Sequence, residues 1–317
     1  MNPGEDTMKR TDKRKLTVEE QLRKLKKRFY IVFGILIAII LLLGFYIFHN
    51  YDYLAFKHFI TRFYIYTDTL DELYRKELKR DVKGRYSSYF DDMVISIVTR
   101  RIREENNDRY TYLYTPEHYK EYQEEEKVEA LQSEIKVLNA KTVYLHITNF
   151  SKYTEKFVKD NIEQLKKYPE LIIDLRDNYG GDIDAMVRIS DLFLPKGSTI
   201  ATDKMRIFDW VYKAKKDKIL SYDKIIILQN SNTASASENM VAALKDNLDN
   251  VTLIGGKTFG KGIGQYTLPL KRGFAVKATM LMWYTPKDVN IQGNGIEPDI
   301  AYAGEDAVEF AMKQLNQ

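Results

Sequence analysis

Between residues 29 and 48 the chain carries no charged side chain, and this run limits the fold more than any other part of the sequence. A helix of that length spans about 30 Å, the thickness of a bilayer's hydrocarbon core. Directly before it stands Arg23-Lys24-Leu25-Lys26-Lys27-Arg28, a basic flank that assigns the N-terminus to the cytoplasm. The run is longer than the apolar region of a signal peptide, and Asn50-Tyr51-Asp52-Tyr53 after it offers no small-residue cleavage site. The sequence thus predicts a basic cytoplasmic tail over 1–28, an uncleaved single-pass anchor over 29–48, and an extracytoplasmic remainder.

Charge supports that division. The net charge is +4, but residues 1–28 hold ten Lys/Arg against five Asp/Glu, so the excess belongs to the tail. No basic face is left over for nucleic acid. The absence of cysteine excludes disulfides, thiol nucleophiles and cysteine-ligated metals. The four histidines (His49, His58, His118 and His146) are scattered, with no HExxH spacing, so neither a metal nor another cofactor is expected. With 44% apolar and 30% charged residues, the remainder is long enough to bury a sizeable core.

Residues 49–130 read as a helical region with amphipathic spacing, for example at Thr69-Leu70-Asp71-Glu72-Leu73-Tyr74 and Met93-Val94-Ile95-Ser96-Ile97-Val98. Near its end, residues 108–116 read as a loop into a short helix, with Thr115 as cap and Pro116 at the first helical position. From 131 onward the pattern becomes α/β. Strands are expected at 135–138, 143–147, 171–175, 224–228 and 251–254, with helices around 155–167, 183–194 and after Ser235, and an added strand at 274–280. Strands alternating with helices imply a largely parallel sheet.

The chemistry lies where strands end. Lys224-Ile225-Ile226-Ile227-Leu228 runs into Asn230-Ser231-Asn232-Thr233-Ala234-Ser235-Ala236-Ser237-Glu238, and then into a helix. A serine at a strand-to-helix junction has an exposed hydroxyl and neighbouring N–H groups, as a nucleophile needs. Ser235-x-x-Glu238 is also a capping box, the commoner use of this spacing, and the two roles are compatible. Ser231 and Ser237 are rivals, one earlier in the loop and one inside the first helical turn. Gly256-Lys257-Thr258-Phe259-Gly260-Lys261-Gly262 offers Lys261 as a base, provided burial lowers its pKa, with Lys257 as competitor. It is not a phosphate loop, because glycine rather than Ser or Thr follows the lysine. Gln265, four residues on, shares a face with Lys261 and could hold its amine toward Ser235. Asp174-Leu175-Arg176-Asp177-Asn178-Tyr179-Gly180-Gly181 ends in paired glycines whose N–H groups could meet the same oxyanion as that of Ala236. With no histidine to orient, Asp174 and Asp177 are read as structural.

Taken in order, these segments resemble the C-terminal processing (tail-specific) serine peptidases. The resemblance runs over about 108–122 and 133–300, and includes Gly295-Ile296-Glu297-Pro298-Asp299. It implies a ClpP/crotonase-like catalytic core at 131–317 that cleaves polypeptides near their C-termini. Ser235 would be the nucleophile, Lys261 the base and Gln265 the residue orienting it. Ala236 with Gly180 or Gly181 would form the oxyanion hole. Only residues 123–132 separate Tyr122 from the first core strand, which leaves no room there for the PDZ domain of many members. Two other readings share the architecture: a catalytically silent, membrane-tethered module binding peptides or cell-envelope ligands, and an acyl-CoA enzyme of crotonase type. The oligomeric state is open, a homodimer through the helical region being one option.

Overall fold

The computed structural model describes residues 17–66 and 90–316, the first five of the second stretch by backbone alone. Most of the expected tail and the helix expected at 69–74 lie outside the described residues. The chain divides into two compact units, residues 1–54 and 55–317.

The first unit is dominated by α1 (Val18–His49), whose most apolar window has a mean hydropathy of 3.0. Thr17 caps it: its N–H donates to Glu20 Oε2 at 3.0 Å, and its Oγ1 accepts from the Glu20 N–H at 3.3 Å. This cap starts the helix within the basic flank, before the apolar run begins. None of its side chains is buried, and Leu41 and Leu42 are about two-thirds exposed. Among the described residues α1 is the helix long and apolar enough to cross a membrane. The boundary between the units falls within α2 (Tyr51–Phe63).

The second unit begins with the end of α2 and α3 (Phe90–Glu105). The helical reading of 49–130 needs one correction, because β1 (Tyr112–Tyr114) is a strand. It pairs with a strand far along the chain, a tertiary partner that local spacing does not reveal. The following α4 (Pro116–Ala130) is longer than expected, with Thr115 accepting the His118 N–H at 3.3 Å. It runs to within three residues of β2 (Glu134–Val137).

A six-stranded sheet follows. It comprises β2, β3 (Thr142–His146), β4 (Glu170–Asp174), β7 (Lys224–Gln229), β8 (Val251–Gly255) and β11 (Ile300–Ala301), in the order β11-β8-β7-β4-β3-β2. All neighbours are parallel except β2 and β3. Both faces are buried, so the strands read as continuous apolar runs. Ile225 and Ile227 face one cluster, packed with α7 (Ile183–Ser190) and α8 (Ala236–Asn247). Ile226 and Leu228 face another, against Ala307, Ala311 and Leu315 of α9 (Ala307–Leu315). Each fully buried Ile or Leu contributes roughly 1.5–3 kcal/mol. The helix expected at 155–167 is broken into α5 (Lys152–Asp160) and α6 (Ile162–Leu165), and that expected at 183–194 stops at Ser190.

The second sheet is antiparallel. Its spine is β10 (Ala275–Tyr284), which carries β9 (Ile263–Pro269) on one edge and β1, then β5 (Thr199–Met205), on the other. β6 (Asp209–Lys213) closes the β5 side.

Candidate active site

The parallel strands β4 and β7 run side by side and release their loops at the same edge. After β7 the chain turns through 230–234 and enters α8 at Ser235, which holds φ +57° and ψ −117°. A non-glycine residue keeps such a conformation only where its surroundings enforce it. Here they do. Thr233 Oγ1 donates to the Leu175 carbonyl at 2.8 Å and accepts the Asn230 N–H at 3.0 Å. The Ala234 N–H and Ser237 Oγ both donate to the Asn178 carbonyl, at 3.0 and 2.9 Å. Asp177 accepts from the Asn230 and Asn232 side-chain amides at 3.0 and 2.9 Å. Asp174 is held by Arg176 and Tyr144. Both aspartates therefore brace the loops.

The loop that carries Lys261 reaches the serine turn through one carboxylate. Glu238, fully buried in the first turn of α8, accepts four hydrogen bonds. Oε2 takes the N–H of Ser235 at 2.8 Å and of Lys261 at 2.9 Å. Oε1 takes the N–H of Gly260 at 2.7 Å and Thr258 Oγ1 at 2.6 Å. The bond from the Ser235 N–H is the glutamate half of the capping box at the start of α8. Phe259 N–H donates to the Thr233 carbonyl at 3.0 Å, and Trp283 Nε1 donates to the Lys261 carbonyl at 2.7 Å.

Lys261 and Ser235 line one cleft of about 560 Å³, together with Gln265, Ala236, Gly180 and Gly181. Every residue expected at the site is thus brought together. Burial first, and then the nearby charges of Lys277 and Arg109, pull the Lys261 amine down to about 8, while Glu238 and Asp108 oppose the shift. The expected hold of Gln265 on that amine is not made, however. Lys261 Nζ lies 4.6 Å from the centre of the Tyr110 ring, and Gln265 Nε2 is buried without a partner among the described residues. No hydrogen bond joins Lys261 Nζ to Ser235 among the described residues. The ring offers the amine a cation–π contact in place of one to the hydroxyl.

The two glycines differ. Gly180 and Gly181 both have positive φ, at +103° and +136°, and a Cβ on Gly181 would overlap the Phe150 carbonyl. The Gly180 N–H is engaged by Asn178 Oδ1 at 2.9 Å. The N–H groups of Gly181 and Ala236 take no partner among the described residues, so this pair is free to meet an oxyanion. The competing residues stand aside: Ser237 is buried on Asn178, Ser231 is exposed, and Lys257 pairs with Glu297 at 2.8 Å. Among the described residues no cluster of His, Asp and Glu is disposed to hold a metal ion.

Sequence reading missed the role of Glu238 beyond helix capping, and it missed Tyr110. The first had a signal in its Ser-x-x-Glu spacing. Tyr110 had none, because its place depends on Asp108. That buried carboxylate accepts from Tyr64 Oη at 3.1 Å, Thr279 Oγ1 at 3.0 Å and the Tyr110 N–H at 3.1 Å.

The mixed α/β fold thus presents a serine at a strand-to-helix turn and a lysine of lowered pKa in one cleft. A sequence model of Peptidase family S41 matches residues 141–302. The chain belongs to this family. It is 35% identical over 164 residues to the carboxy-terminal-processing protease of Bartonella bacilliformis, covering 50% of this chain and 38% of that one. A probable CtpA-like serine protease of Staphylococcus aureus is 35% identical over 163 residues, covering 49% of this chain and 32% of its own length. The matches thus take in about a third of the length of these relatives. Among solved structures, the photosystem II D1 C-terminal processing protease shares the fold with a TM-score of 0.62 at 17% identity, over 81% of this chain and 94% of that one. A lipoprotein from Streptococcus agalactiae does so at 0.64 and 17%, over 84% and 96%.

Proposed function

We propose that the chain is a serine endopeptidase with a Ser235–Lys261 dyad, cleaving polypeptides near their C-termini. The catalytic core is 131–317, of ClpP/crotonase-like architecture. Residues 49–130 precede it, 29–48 anchor it in the cytoplasmic membrane, and 1–28 lie in the cytoplasm. The observation that carries this reading is the single Glu238 carboxylate joining the serine turn to the lysine loop beside a cleft. In the reaction, neutral Lys261 leaves Tyr110, with the Gln265 amide as its new partner, and takes the proton of Ser235 Oγ. The oxygen attacks the scissile carbonyl, and the N–H groups of Ala236 and Gly181 hold the oxyanion. As the C–N bond breaks, Lys261 returns the proton to the leaving amine. Water then attacks the acyl-enzyme with Lys261 again as base, releasing a new carboxylate and restoring Ser235.

The test is incubation of the full chain, in detergent, with an unstructured protein bearing an apolar C-terminus, read by mass spectrometry. Ser235→Ala and Lys261→Ala are each expected to abolish cleavage. Cleavage that survives Ser235→Ala would refute the nucleophile, and a folded parent that cuts nothing would favour the silent binding module.

A further inference from the structure

At the wall of the same cleft stands an acid that the dyad does not use. Asp203 lies within β5, opposite Trp283 of β10 and Trp210 of β6, and is 1% exposed. Its Oδ2 accepts the Tyr212 hydroxyl at 3.1 Å, and its Oδ1 is buried with no hydrogen-bond partner among the described residues. No lysine or arginine pairs with it there. A buried carboxylate without a cation is a standing cost to the fold, usually relieved by protonation or by a partner. Burial accordingly pushes the Asp203 pKa up to about 7, with Asp184 adding to the shift.

The cleft that holds this acid is itself acidic. Glu125, Glu126 and Glu129 of α4 line the cleft, with Asp182 and Asp184 at the start of α7. Burial and Asp182 raise the Glu126 pKa as well. Against these carboxylates the cleft holds Lys261, lowered toward neutrality, and Lys277. Leu281 and Trp283 line the same cleft, and Trp283 stands opposite Asp203 across the strand pair. Acidic and apolar lining together with a buried, half-satisfied carboxylate match the parts of a long cationic side chain: a charged head on an aliphatic stem.

We propose that Asp203 floors a subsite that takes a lysine or arginine side chain of the polypeptide substrate. The proposal rests on the peptidase reading of the cleft and adds a specificity to it. An entering ammonium or guanidinium donates to Oδ1, returns the carboxylate to its charged form and displaces the proton to solvent.

The test uses the full chain in detergent carrying Ser235→Ala, so that bound peptides are not consumed. Fluorescent peptide pairs, identical except for lysine or norleucine at one position, are scanned along the sequence by anisotropy. The expected result is one register in which lysine binds roughly tenfold or more tighter, the size of one charge-assisted hydrogen bond. That preference disappears when Asp203→Asn is added, with thermal unfolding checking that the variant is folded. Equal binding of the two peptides in every register, or no binding of either, overturns the proposal without needing the Asp203 variant. A preference that survives Asp203→Asn overturns it too, and assigns the effect to the outer carboxylates. Cleavage by the parent is measured separately. A chain that discriminates lysine but never cuts refutes the peptidase reading alone, and one that cuts without discriminating refutes the subsite alone.

Discussion

In the proposed dyad Lys261 serves as a base only when its amine is neutral, and its pKa of about 8 sets where that happens. Below that pH the protonated amine cannot accept from Ser235, so kcat/KM is expected to rise with pH through about 8 and level off above it. Lys277 is the like charge that contributes most to holding the value down. Lys277→Met should therefore move the profile to higher pH, and a pH–rate series on both chains checks the direction. Glu238 makes a second prediction at this scale. Glu238→Ala strands three N–H groups and the Thr258 hydroxyl in a buried site, at a cost on the order of 3–5 kcal/mol, as for other broken buried charge networks. Urea unfolding should show that loss, and activity should fall with it. A Glu238→Ala chain as stable as the parent would contradict the account.

Elements were legible in the sequence where one pattern dominated. The Ile225-Ile226-Ile227-Leu228 run reads as a doubly buried strand because both of its faces meet helices. The serine turn reads from its strand, its Ser-x-x-Glu spacing and the helix behind it. Other elements left weaker signals. β5 reads Thr-Ile-Ala-Thr-Asp-Lys-Met and β6 Asp-Trp-Val-Tyr-Lys, short mixed runs that become strands through their pairing with each other and with β10. α9 was missed because Asp306 makes no side-chain cap and nothing local announces the start. Its identity as a core helix is tertiary: Ala311, fully buried, packs against the outer face of β4 and β7. Ala311→Leu is expected to overfill that contact at a cost of about 1–3 kcal/mol, read as a shift in the urea midpoint. The paired glycines were legible as a loop, but not the division of labour by which Asn178 occupies Gly180 and leaves Gly181 free.

At the scale of the whole molecule, a helix with no buried side chain precedes a domain with its own core. If α1 is an anchor, the full chain should sediment with membranes and resist extraction by alkaline carbonate, with protease added outside the cell degrading the core but not the tail. Release into the soluble fraction would instead mark α1 as a cleaved signal. The cleft is likewise assembled from separate parts of the sequence, since Ser235 precedes β8, Lys261 follows it, and the N–H groups of both are taken by Glu238. If these two residues are the proposed dyad, the hydrolase has no half-made form. A newly synthesised chain whose loop at 256–262 has yet to close would hold a serine with no base beside it, and would be unable to digest itself or its neighbours while it folds. The bonds that complete the proposed catalyst would thereby also serve as its safety catch.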